Sequence, residues 1–204
     1  MTRSCFPVAV AIAGMALGIG AAEARAQQPS DTALTSYLRT SYANIARNLT
    51  ATLATLTDED LRYKPVGAAK EVRTFGEIVL HLLTVNAFVC EMGDGKPPSK
   101  PPTDTAIAHD KARLTSLMTD INARCTAYLA TVTDASLPQI ISAGKAPRRM
   151  QSVRGNSIVF AITHANEHYG NLVSYLRANG KVPPRAPVQA LFFSMDTSAA
   201  KPPG

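Results

Sequence analysis

Apolar residues recur at three- and four-residue steps in four separate stretches of this chain, and no other feature limits its fold as much. That period marks an amphipathic helix. A helix with one apolar face must bury it against another element, and four of them together make a bundle. The first stretch runs from about Asp31 to Leu56, with Leu34, Leu38, Ile45, Leu49, Leu53 and Leu56 in step. The second starts at Thr74, where Thr74-Phe75-Gly76-Glu77 has the form of a capping box, and reaches about Met92. The third spans roughly Asp104 to Val132, with Leu114, Leu117, Met118, Ile121, Cys125, Tyr128 and Leu129 on one side. The fourth spans about Gly155 to Asn179; Gly180 suits its stop and Pro183-Pro184 prevents it resuming. No segment reads as a convincing strand. The expected fold is therefore an all-α four-helix bundle within residues 27–184. The connectors after the first and third helices are long, so a strict up-down-up-down order does not follow. The Pro-rich run from Lys96 to Pro102 is not helical. Residues 185–204 form an Ala- and Pro-rich tail, whose apolar patch Leu191 to Met195 is able to pack back on the bundle.

The N-terminal residues do not belong to that fold. Arg3 gives a charged start, Val8 to Ala22 an apolar run, and Ala24-Arg25-Ala26 small residues at alternate positions. Residues 1–26 read as a secretory signal peptide. The run falls short of the ~20 residues that span a bilayer. Cys5 precedes it, whereas a lipoprotein's acylated cysteine would follow. The expected product is periplasmic or secreted. No later segment reads as long and apolar enough to cross a membrane, so no stable membrane association is expected. The formal net charge of +6 is spread thinly, without basic runs interleaved with aromatics, which argues against a nucleic-acid partner.

The mature chain keeps Cys90 and Cys125, each near the middle of an expected helix. In an oxidising compartment such a pair can close a disulfide; otherwise the two are small buried thiols. A faint repeat links Leu53 to Leu61 (LATLTDEDL) with Leu129 to Leu137 (LATVTDASL), identical at six of nine positions. Each copy lies where an odd-numbered helix ends.

Three histidines carry the functional reading. His164 and His168 are spaced i, i+4, which puts both rings on one helix face, one turn apart. At 100° per residue, Ile158, Ala161, Ile162, Ala165, Leu172, Val173 and Leu176 fill one arc, and the two histidines lie at its edge. His81 stands among Ile78, Leu82, Val85 and Phe88. A polar ring on so apolar a face needs a partner, because a buried unpaired polar group costs about 1–3 kcal/mol. A metal is one such partner; a backbone carbonyl or a hydroxyl is another. Three neutral imidazoles suit Zn, Ni, Fe or Mn better than Ca or Mg. Three protein ligands also leave a coordination position open, the pattern of catalytic rather than structural zinc. Glu77 and Glu167 precede His81 and His168 closely; they read as exposed helix charges or as acceptors behind the ligands. His109 reads as a surface residue. No Ser-His-Asp or Cys-His nucleophile system, Gly-rich phosphate loop or CxxC motif is present.

The stretch RTFGEIVLHLLTVNAFVC (Arg73 to Cys90), followed by ITHANEHYGNLVSYLRANGKVPP (Ile162 to Pro184), resembles the DinB family, also called the DinB/YfiT-like superfamily. The matching features are His81, the pair His164 and His168, and the tail Tyr175-Leu176-Arg177 before Gly180 and Pro183-Pro184. The resemblance implies an up-down-down-up bundle. It implies a divalent metal, often zinc or nickel, on His81, His164 and His168. The family includes thiol-dependent transferases and isomerases, and its members commonly form homodimers. The export signal sets this chain apart from the thiol-dependent members. Three functions stay open: a metal-dependent hydrolase or transferase acting on a small-molecule substrate, a non-catalytic metal-binding or stress-related bundle, and a metal-free structural bundle.

Overall fold

Among the described residues the most apolar long helix, Phe75–Gly93, is also the most deeply buried. The computed structural model describes residues 33–144 and 149–184. The signal peptide read at 1–26 and the tail at 185–204, with its Leu191–Met195 patch, lie outside the described residues. Within them the chain forms α1 (Ala33–Ala54), α2 (Asp58–Leu61), α3 (Phe75–Gly93), α4 (Lys111–Thr131), β1 (Ile140–Ala143), β2 (Met150–Val153) and α5 (Arg154–Ala178). Short 3-10 turns occupy Thr105–His109 and Asp134–Ser136. By length and composition α3 is apolar enough to cross a membrane, contrary to the sequence expectation. Most of it is instead covered by its neighbours, as befits a helix that is apolar nearly all round. Ile78, Val79, Leu82, Leu83, Ala87 and Cys90 all enter one core with Tyr42, Leu53, Leu114, Ile121, Leu172 and Leu176.

The long helices α1, α3, α4 and α5 are arranged as a square. α3 packs on α4 and α5, and so does α1, leaving α1 diagonal to α3 and α4 diagonal to α5. Side-chain pairings give the directions. Tyr42 bonds Asn122, and Thr50 bonds Met118, so α1 and α4 are antiparallel. Thr74 meets His109 at the start of α3, and Cys90 is joined to Cys125 further along, so α3 and α4 are parallel. Tyr175 reaches back to Arg73 and Arg154 to Gly93, so α3 and α5 are antiparallel. The order is up-down-down-up. Parallel neighbours α3 and α4 need a connector that returns along the bundle, which is why residues 94–110 are long and Pro-rich.

Besides the short α2, two connectors differ from the sequence reading. The third helix does not start at Asp104: a 3-10 turn at Thr105–His109 is followed by a break at Asp110, whose extended backbone and carboxylate cap the start of α4 at Arg113. The connector before α5 holds an antiparallel hairpin, Ile140 opposite Val153 and Ala143 opposite Met150. Four-residue strands are too short to show a two-residue period, so the pattern hid them. Where glycine was expected to end a helix it does so: Gly180 takes φ +71° and its N–H, with that of Lys181, caps the carbonyls of Arg177 and Leu176.

Candidate metal centre

Thr74 sets where α3 begins, and with it the height of His81. Its hydroxyl accepts from the Glu77 N–H, and the Glu77 carboxylate accepts from the Thr74 N–H at 2.7 Å. Glu77 is thus engaged in the capping box, not behind His81. Just before it, the Arg73 carbonyl accepts a 3.0 Å bond from the Tyr175 hydroxyl, and the Tyr175 ring meets Phe75 edge-on. The Tyr-Leu-Arg tail of α5 therefore fastens the entry of α3. Leu176 is buried in the core and Arg177 is exposed.

With α3 and α5 antiparallel, His81 faces the two histidines of α5. All three rings are half-buried. Their centroids lie 5.3 Å (His81–His164), 5.0 Å (His81–His168) and 4.5 Å (His164–His168) apart. One ring nitrogen from each lies within 4.8 Å of the others. The structure thus brings together the three histidines that the sequence offered as ligands, in a cluster that could hold a metal ion. His109 stands apart and is not a free surface residue: its Nε2 meets the Thr74 hydroxyl at 3.2 Å. Glu167 is exposed on α5.

The donor set fits a late first-row ion. Nε2 of His164 and Nε2 of His168 are 3.1 Å apart. Imidazole nitrogens bind zinc at about 2.0–2.1 Å, so two on one ion sit roughly 3–3.5 Å apart. An N–H···N bond between the rings also has this length; in either case both Nδ1 atoms are buried and meet no hydrogen-bond partner among the described residues. Burial pushes the His81 ring down to about 4, and the Arg73 cation and the other two rings add to it. Burial also lowers His164, helped by His168 and opposed by Glu167. His168 is lowered by burial against the pull of Glu167, with Arg73 again adding. All three are therefore neutral at pH 7, the form that ligates a metal.

The DinB superfamily model matches residues 42–172, which include all three histidines. The chain belongs to the DinB superfamily. Two solved DinB-like proteins share its fold. One, from Bacillus cereus ATCC 10987, is 20% identical with a TM-score of 0.58, covering 72% of this chain and 94% of its own. The other, from Bacillus subtilis, is 20% identical with a TM-score of 0.56, covering 73% and 96%. No curated protein matches. The DinB assignment agrees with the resemblance read from the histidines and the α5 tail.

Two neighbours of this DinB cluster were not singled out from sequence. Arg73 sets part of its electrostatics. Phe160 stacks on His164, with ring centroids 5.3 Å apart and planes 15° apart. The spacing Phe160–His164 is i, i+4, the one sequence signal that marks such a pair.

Proposed function

We propose that this DinB protein holds one divalent metal, zinc or nickel by preference, through His81, His164 and His168, and acts as an exported metal-dependent hydrolase or transferase on a small molecule. The observation that carries the reading is the convergence of three neutral imidazoles from two helices. Nitrogen donors without thiolate or carboxylate suit these ions, and three protein ligands leave a position open. When bound, such an ion lowers the pKa of water or polarises a carbonyl. The chain's own part is to hold the rings on rigid helices, to keep them neutral by burial and to place Arg73 beside them. Export rests on the signal peptide at residues 1–26, and a homodimer on family habit alone.

The test is metal content. The mature chain, purified without an affinity tag, should carry close to one metal per chain after supplementation with zinc or nickel. His164→Ala and His168→Ala should each lower the affinity by at least tenfold. A wild type that stays metal-free would falsify the site.

One observation favours binding without turnover. Ligating histidines usually donate their second N–H to a carboxylate or carbonyl, which tunes the metal. Here the Nδ1 atoms of His164 and His168 meet none among the described residues. A screen of esters, amides and electrophile–thiol pairs separates the readings: metal-loaded protein inert to all of them is a binding protein.

A further inference from the structure

A groove opens on the seam between α3 and α5, and one of its walls, Phe160, stacks on His164 of the histidine cluster. Its volume is about 480 Å³, within the ~300–1,000 Å³ typical of small-molecule sites. Phe88 and Met92 of α3, Met150 of β2 and Phe160 of α5 wall it, and Asn156 and Ser157 supply polar edges. Phe88, Met150 and Phe160 are 40%, 37% and 48% exposed. A single exposed apolar side chain needs no explanation. Three around one groove form a patch of the kind that marks binding.

We propose that this groove receives the alkyl or aryl arm of a small ligand whose donor head lies at the histidine cluster. The head's role rests on the metal reading above; the arm's place rests on the groove. Phe160 joins the two, since its ring both lines the groove and stacks on His164. At 1.5 Å per residue, Phe160 and Asn156 lie about 6 and 12 Å along α5 from His164. Phe88 lies about 10 Å along α3 from His81. The two helices are antiparallel, so both paths run from the cluster toward the hairpin. An uncharged arm about 10 Å long follows them, because the walls hold no charged side chain. The substrate class is thus an amphipathic molecule with an oxygen or sulfur donor at one end, such as an acyl or aryl-alkyl compound.

The mature chain loaded with Co²⁺ tests this through its visible spectrum. Octanohydroxamate should bind at least tenfold more tightly than acetohydroxamate. Phe88→Ser and Met150→Ser should each bring that ratio below about threefold, with cobalt uptake unchanged. Equal affinities in the wild type, or a ratio that neither substitution moves, overturn the proposal. A dimer that Phe88→Ser dissociates, without any chain-length effect, assigns the groove to a second copy and overturns it too. So does a chain-length effect that appears only when residues 185–204 are removed, because the tail is then the occupant. Absence of any cobalt spectrum is failure of the metal reading instead. The groove is then judged on the metal-free chain with the apolar dye N-phenyl-1-naphthylamine. Fluorescence that Phe88→Ser abolishes and octanohydroxamate displaces upholds it, and a dark wild type overturns it.

Discussion

A half-buried imidazole is worth most to a fold when it stays uncharged, and His81 shows the consequence. An exposed ring titrates near 6.5, whereas burial and Arg73 bring His81 down to about 4. Between those values the unfolded chain binds a proton that the folded chain does not. Stability is therefore full above about pH 6.5 and is lost as pH falls toward about 4. The lowered His164 and His168 act in the same direction. Urea midpoints of the metal-free chain should decline from pH 7 to pH 4.5, and His81→Leu should flatten part of that decline. An identical slope in the variant would remove His81 as a cause. The three histidines were legible in the sequence because a polar ring is conspicuous at the edge of an apolar arc, as His164 and His168 are, or within an apolar face, as His81 is. Phe160 and Phe88 were not. Phe88 reads as one more apolar neighbour of His81 and Phe160 falls outside the apolar arc of α5, and only the packing of α3 beside α5 reveals that the two line one groove.

At the scale of elements, the faint repeat in the sequence acquires a physical meaning. Asp58 and Asp134 hold equivalent positions in LATLTDEDL and LATVTDASL. The Asp58 carboxylate accepts from the N–H of Lys111 at the start of α4, at 2.8 Å. The Asp134 carboxylate accepts from the N–H groups of Leu34 and Thr35 at the start of α1. Each antiparallel helix thus supplies, just past its own end, an acceptor for free N–H groups at the other's beginning, which at α4 adds to the Asp110 cap. The cations repeat the exchange: Lys111 donates to the Ala54 carbonyl, and Arg39 to the carbonyls of Leu129, Ala130 and Val132. The double variant Asp58→Ala/Asp134→Ala should therefore lower the melting temperature and speed amide exchange at both helix starts together. Fraying confined to one start would show that the two caps act separately. A second contact was hidden from the sequence altogether. A Cβ on Gly76 would come within 1.7 Å of the Ala108 carbonyl oxygen, in the 3-10 turn that replaces the expected start of the third helix. Backbone on both sides leaves nothing to yield cheaply. Gly76→Ala should destabilise by about 1–3 kcal/mol, the usual result of overpacking, and denaturant midpoints measure it.

For the whole molecule, the four long helices and their apolar faces followed from the sequence, but the short α2 and the order of the helices did not follow from periodicity. Periodicity says which face of a helix is buried and nothing about which neighbour buries it. The up-down-down-up order entered with the resemblance, and the cross-helix pairs now account for it. That order has an energetic weak point. α3 and α4 run parallel, so no short turn joins them, and residues 94–110 must return along the bundle before α4 begins. Cys90 and Cys125, 35 residues apart in sequence, close this gap near the far end of the pair, with Cα atoms 5.3 Å apart. Both are buried, so the link is set within the α3–α4 contact and not on a loop. Closing a loop of that length removes unfolded-state entropy worth about 2–4 kcal/mol. For a domain of this size each kcal/mol shifts the melting temperature by about 2–4 °C. Reduction should therefore lower the melting temperature of the protein by roughly 5–15 °C. Cys90→Ala/Cys125→Ala should melt near the reduced wild type and be indifferent to reductant. The histidine cluster lies on the α3–α5 seam and shares α3 with the link, but His81 stands roughly 14 Å along that helix from Cys90. Metal affinity at 25 °C, where the bundle is still folded, should then be the same with and without reductant. A loss of metal on reduction would mean that the α3–α4 staple also sets the height of His81 against α5.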